Sequence, residues 1–184
     1  MDENRTAAMP DRFTVGAAFA LQPQIELRYS SLQANPGIAF WGSFAPARYF
    51  SLDSAVVVLP GGDFQTYQDG GTETEFFAGA KVGIRRRHVG YFAKLRPGFT
   101  SFADITSNGT EQHPPAQRSI NFALDGGGVF EAYLPKHTLL RIDAGDVTTY
   151  FHSVTVSGFP ANQAVEPAQS RESLLLLVGA GWRF

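Results

Sequence analysis

The stretch that decides the fold is the carboxyl-terminal run Ser173-Leu-Leu-Leu-Leu-Val-Gly-Ala-Gly-Trp-Arg-Phe184. Counted back from Phe184, alternate residues are apolar: Trp182, Ala180, Val178, Leu176 and Leu174. Arg183, Gly181, Gly179, Leu177 and Leu175 lie between them. A period of two is the repeat of a β-strand with one continuous apolar face. The run is too short for a membrane-spanning helix. It fits a tilted membrane-spanning strand, which needs roughly 9–11 residues.

The alternation runs through the rest of the chain. From Phe13 to Tyr29 the odd positions are mostly apolar, which predicts one long strand, or two collinear pieces divided at Pro23. Asn35-Pro-Gly37 reads as a turn. A second strand follows at about Ile38–Ala45 and a third at about Arg48–Leu59. Four more are predicted at about 74–86, 91–102, 119–134 and 138–150, before the closing run. Short links at Ala45–Ala47, Arg87–Gly90 and Pro135–Lys136 alternate with long ones near 60–72, 104–118 and 151–171. The expected fold is therefore all-β: a closed eight-stranded antiparallel up-and-down transmembrane β-barrel with short periplasmic turns and long extracellular loops.

Residues 12–184 read as this single barrel domain, preceded by a flexible amino-terminal segment, 1–11. Met1–Pro10 has no apolar core of a signal peptide, so the expectation is a mature chain whose leader has been removed. Mean hydropathy is only −0.11, as in barrels whose lumen residues alternate with lipid-facing ones. A net charge of −2 without a basic stripe argues against nucleic acid. The absence of cysteine removes disulfides, thiolate metal sites and a cysteine nucleophile.

Charge placement predicts which face points inward. The polar parity carries Glu26, Arg28, Asp53, Lys81, Arg85, Lys94, Arg96, Asp125, Glu131, Arg141, Asp143 and Arg183, interleaved with glycines. A solvated outer face would favour Lys, Glu, Thr and Ser over Gly and Arg. Eight strands enclose an interior just wide enough for side chains to fill, and charges there persist only when paired. The reading is a salt-bridged lumen inside an apolar, lipid-facing band. Two aromatic belts fit it: Phe44, Tyr49, Phe50, Tyr91, Tyr133, Trp182 and Phe184 at the short-turn rim, and Phe76, Phe99, Phe102, Phe122, Tyr150 and Phe151 at the other. Leu175 and Leu177 are the exceptions, apolar on the inward parity.

The segments Phe77–Arg85, Tyr91–Phe99, Phe122–Val129, Leu140–Asp146 and Val178–Phe184 together resemble the small eight-stranded outer-membrane barrels of Gram-negative bacteria, of the OmpA transmembrane domain and OmpX type. The resemblance covers nearly the whole chain after Phe13. It implies the cell outer membrane, contact with the lipid bilayer, a monomer, and recognition of Phe184 and Trp182 by the barrel-assembly machinery as a carboxyl-terminal signal. It implies no agreed activity. Lipid A modification, known among such barrels, would here draw on His152, Ser153, Thr155 and Glu166, but the His-X-Ser pattern of the deacylase is not reproduced.

Other chemistry is sparse. His88 and His137 fall in short links and His113 and His152 in long ones, so they do not converge on a metal. Gly61-Gly62, Gly70-Gly71 and Gly126-Gly-Gly128 lack the Lys-Ser/Thr of a phosphate loop. No cofactor, metal or catalytic set is expected. The expected role is structural or surface-interacting, through long loops carrying Phe64, Tyr67, Phe102, Phe151, Phe159 and Val165. A narrow pore and a soluble lipocalin-like carrier are the alternatives.

Overall fold

The computed structural model describes residues 12–26, 31–60, 72–103, 118–152, 154–157, 163–166 and 168–184. Ten strands follow in chain order: β1 Phe13–Glu26, β2 Ser31–Ala47, β3 Phe50–Leu59, β4 Glu73–Arg85, β5 Val89–Ala103, β6 Arg118–Tyr133, β7 Thr138–Phe151, β8 Val154–Ser157, β9 Gln163–Glu166 and β10 Gln169–Arg183. Among the described residues there is no helix. Strands β1 to β6 each pair antiparallel with the next, and β10 bonds to both β7 and β1, closing an eight-stranded barrel. Closure leaves no open edge along the paired wall of the barrel. At the seam the Phe184 amide donates to the Phe13 carbonyl at 2.8 Å, and the Phe13 amide donates back at 3.3 Å.

The strand bounds leave residues 48–49, 86–88 and 134–137 between strands at one rim. At the other rim they leave 27–30, 60–72, 104–117 and 152–168. The last of these contains the small β8–β9 hairpin, which alternation did not reveal, so β10 begins at Gln169.

The expected turn at Asn35-Pro-Gly37 is absent; β2 begins at Ser31 rather than near Ile38 and runs straight through, with Leu21 opposite Pro36 and Gln22 opposite Asn35. Pro23 does not divide β1 either; it sits in the ladder opposite Ala34. The ladder to β3 starts only at Ile38 opposite Val58. Beyond that point β2 is an edge on its β3 side, where a proline's missing N–H costs little. Long-range pairing over the whole of β1 outweighs the local turn preference.

Burial alternates along every barrel strand, and the parity is the predicted one. Phe19, Ile38, Phe40, Leu52, Val82, Leu95, Phe99, Leu140, Val178 and Trp182 are exposed on the outside, while Asp53, Lys81, Arg96, Asp125 and Arg141 are buried within. Three belt residues depart from expectation. Tyr133 and Phe102 are buried and Phe151, half-buried, stacks on Phe102 at 5.8 Å, because each lies on the inward parity of its strand. Asp146 and Glu172 are charged residues on the outer face, exposed opposite Leu174 and Thr148.

Candidate functional site: the barrel interior

The interior is built in layers, each dictated by what the inward parity supplies. At mid-height four carboxylates, Asp53, Asp125, Glu131 and Asp143, meet four cations, Lys81, Lys94, Arg96 and Arg141, and all eight are buried. They come from β3 to β7. The charge of this belt sums to zero, as a confined low-dielectric space requires.

The belt is cross-linked rather than merely paired. Arg141 grips Asp53 with both guanidinium ends at 2.8 Å and reaches Asp143 at 2.7 Å. Arg96 donates from Nη1 to Asp53 at 2.9 Å and from Nε to Asp125 at 2.7 Å, and lies 3.3 Å from Asp143. Lys94 bridges Asp125 at 2.7 Å and contacts Asp143. Lys81 bonds Glu131 and stands 3.4 Å from Asp53. Arginine suits this work because its rigid fork serves several carboxylate oxygens at once.

The wall opposite the belt is made of small residues. A side chain at Gly16 would meet the Trp41 ring at 2.3 Å and one at Gly181 would meet it at 2.6 Å. Trp41 therefore lies across these glycines, and the Arg141 guanidinium stacks 4.7 Å from its ring centre. Toward the short-turn rim, Phe92 and Tyr133 form a cationic and aromatic floor. Arg85 donates to the Tyr133 hydroxyl at 3.0 Å, which donates to Glu131 at 2.8 Å. Arg183 stacks on Tyr133 at 4.8 Å, and Arg85 lies 5.4 Å from the Phe92 ring.

Above the belt the inward parity turns apolar. Ala20, Ala39, Val57, Leu59, Phe77, Ala123, Val147, Leu175 and Leu177 are buried in one cluster. Leu175 and Leu177, at 0 % and 1 % exposure, thus fill the interior as a plug. A polar tier follows at the far end. Gln22 donates to Glu75 at 3.1 Å and to Ser173 at 3.0 Å, Thr100 meets Thr149 at 3.4 Å, and Arg171 lies 3.9 Å from Glu73. Sequence reasoning overlooked this tier, and of the plug it singled out only Leu175 and Leu177. The signal was present, since each of these residues shares the parity of the belt.

Of the twelve charges expected inside, eight form the belt, while Arg85 and Arg183 are half-buried at the floor. Arg28 and the Glu26 side chain lie outside the described residues, as do His113 and Ser153 and the Thr155 and Glu166 side chains. His88 and His137 occupy short turns, and His152 is exposed at the other rim. Among the described residues no three His, Asp or Glu side chains are grouped as metal ligands.

No protein-family model matches the chain, and no curated protein matches it in sequence. Solved structures do match. The crystal structure of Ail, the attachment invasion locus protein of Yersinia pestis, in complex with the heparin analogue sucrose octasulfate, superposes with a TM-score of 0.57 at 13 % identity. The match covers 96 % of this chain and 100 % of that one. Neisserial surface protein A matches with a TM-score of 0.57 at 13 % identity, over 94 % of this chain and 97 % of that chain. Outer membrane protein H of P. aeruginosa, solved in DHPC micelles, gives 0.54 at 10 % identity, over 94 % and 99 %. The chain has the fold of the small eight-stranded outer-membrane β-barrel proteins.

Proposed function

We propose that the chain is an integral outer-membrane protein, a monomer with a sealed lumen, whose work is structural or done by the longer loops at its surface. The observation that carries this reading is the inverted polarity: large apolar side chains outside, a neutral belt of paired charges inside. A soluble carrier needs the opposite arrangement. A bilayer provides the apolar surroundings that the outer face lacks. The Leu175–Leu177 plug stacked on the belt speaks against a conducting pore. No reaction is assigned. Phe184, bonded back to Phe13 at the seam, is the natural handle for the barrel-assembly machinery.

Refolded into detergent micelles, the protein is expected to migrate differently on gels before and after boiling, and to show no discrete conductance in planar bilayers. A chain that stays folded and soluble without detergent would sink the membrane reading.

Charge narrows the choice of surface partner. Segments 60–72, 104–117 and 152–168 contain Asp63, Asp69, Asp104, Glu111 and Glu166 and no Lys or Arg. The polyanion in the Ail complex is therefore a poor guide to this chain. On cells that display the chain in the outer membrane, where these segments face the medium, bound heparin is expected to be no higher than on cells without it, because like charges repel. Binding that disappears on mutating these segments would reverse this assignment.

A further inference from the structure

The short-turn rim carries charge that the barrel does not consume. Arg48 stands in the β2–β3 turn, Arg86, Arg87 and His88 in the β4–β5 turn, and Lys136 and His137 in the β6–β7 turn, all exposed. Among the described residues no salt bridge engages Arg48, Arg86, Arg87 or Lys136. Nor does any described Asp or Glu side chain stand exposed there; Glu131, nearest this rim, is buried on Lys81.

The turns hold these cations in place. The Tyr49 carbonyl accepts from the Gly83 amide at 2.9 Å, that of His88 from Tyr133 at 2.8 Å, and that of His137 from Arg183 at 2.8 Å. Each turn is thereby bonded to the neighbouring strand, and the backbone that carries these charges is held at one rim. Lys136 and His137 have φ of 61° and 62°, a left-handed conformation that Asn and Gly adopt at less cost. The chain keeps a cation where turn geometry alone favours Asn-Gly. Just beneath the charges, Tyr49, Tyr91 and Trp182 expose their rings outward, as aromatics do at the level of lipid headgroups.

Resting on the membrane reading above, we propose that this rim binds the headgroups of anionic phospholipids in the leaflet it meets. Four exposed cations without a salt bridge among the described residues, carried on three turns at headgroup level, match a sheet of phosphates in sign and in position. The acidic segments of the opposite rim would repel the same surface. Each Lys or Arg near an anionic surface favours it by about fivefold, so the four together give a several-fold local preference even with partial screening.

Trp182 is a built-in reporter. The full chain is reconstituted in mixed phosphatidylcholine and phosphatidylglycerol bilayers, with brominated chains on one lipid or the other as quencher. Trp41, buried in the lumen, contributes an unquenched background. Brominated phosphatidylglycerol is expected to quench several-fold more effectively at equal content, and the preference to shrink at high salt. The variant Arg48→Gln/Arg86→Gln/Arg87→Gln/Lys136→Asn should bring the two lipids to parity. It should also keep its heat-modifiable mobility, because Asn suits the left-handed turn. Equal quenching in the parent chain overturns the proposal, as does a preference that survives the variant, which would point to other groups. Quenching by neither lipid removes the membrane reading as well.

Discussion

Arg96→Ala is expected to lower the unfolding free energy by about 3–5 kcal/mol, with the urea midpoint in lipid vesicles as the measure. The size follows from what is left behind. Arg96 contacts Asp53, Asp125 and Asp143 from one guanidinium. Its removal leaves four carboxylates, Asp53, Asp125, Glu131 and Asp143, to share the three cations Lys81, Lys94 and Arg141 in a buried space. An uncompensated buried charge costs far more than a lost surface pair, which contributes about 0–1 kcal/mol. Arg96→Lys should recover part of the loss, restoring the charge without the fork. A loss below about 1 kcal/mol would mean that water reaches the belt.

Phe77→Ala should cost about 3–5 kcal/mol for a different reason, the cavity left by a fully buried aromatic. Phe77 is the largest side chain of the plug, and the local backbone cannot close over its absence. Opposite it stands Gly98, where an added Cβ would meet the Phe76 carbonyl oxygen at 1.9 Å, so that wall is already in contact. Arg96 lies 6.0 Å from the Phe77 ring centre, so the two losses should not sum in the double variant. Additive losses in that cycle would show that belt and plug act separately. Planar bilayers holding Phe77→Ala alone should stay silent, because the ion-paired belt still blocks the path.

The sequence made the architecture readable for one physical reason: a barrel wall has two unlike surroundings, and each strand records them at period two. From β3 to β7 the predicted limits lie within a few residues of those observed. The inward parity of Lys81, Arg96 and Arg141 was legible because charge and glycine share it. Legibility ended where local chemistry and long-range pairing disagree. Asn35-Pro-Gly37 carries every mark of a turn, yet fourteen paired positions of β1 hold β2 extended through it. Tyr133, Phe102 and Phe151 were assigned to belts by residue type, although their parity already placed them inside. The plug was half visible: Leu175 and Leu177 stood out as misplaced, but only closure shows that Phe77 and Leu59 arrive from other strands to meet them. The polar tier of Gln22, Glu75 and Ser173 is invisible in one dimension, since its members lie 53 and 151 residues apart.

The belt has a consequence for the order of assembly. Asp53 and Arg141 are 88 residues apart and belong to strands that are not neighbours in the wall. A hairpin inserted alone gives each charge only a local partner, Asp143 for Arg141 and Lys81 for Asp53; their two-ended bond to each other waits until the intervening strands have docked and the ring has curled. Contacts of this kind form late, because the entropy of bringing distant segments together must be met first. Interactions absent from the folding transition state act on the rate of escape from the native state. The belt thus works as a latch: it does little to hasten closure, and it makes the closed barrel slow to reopen.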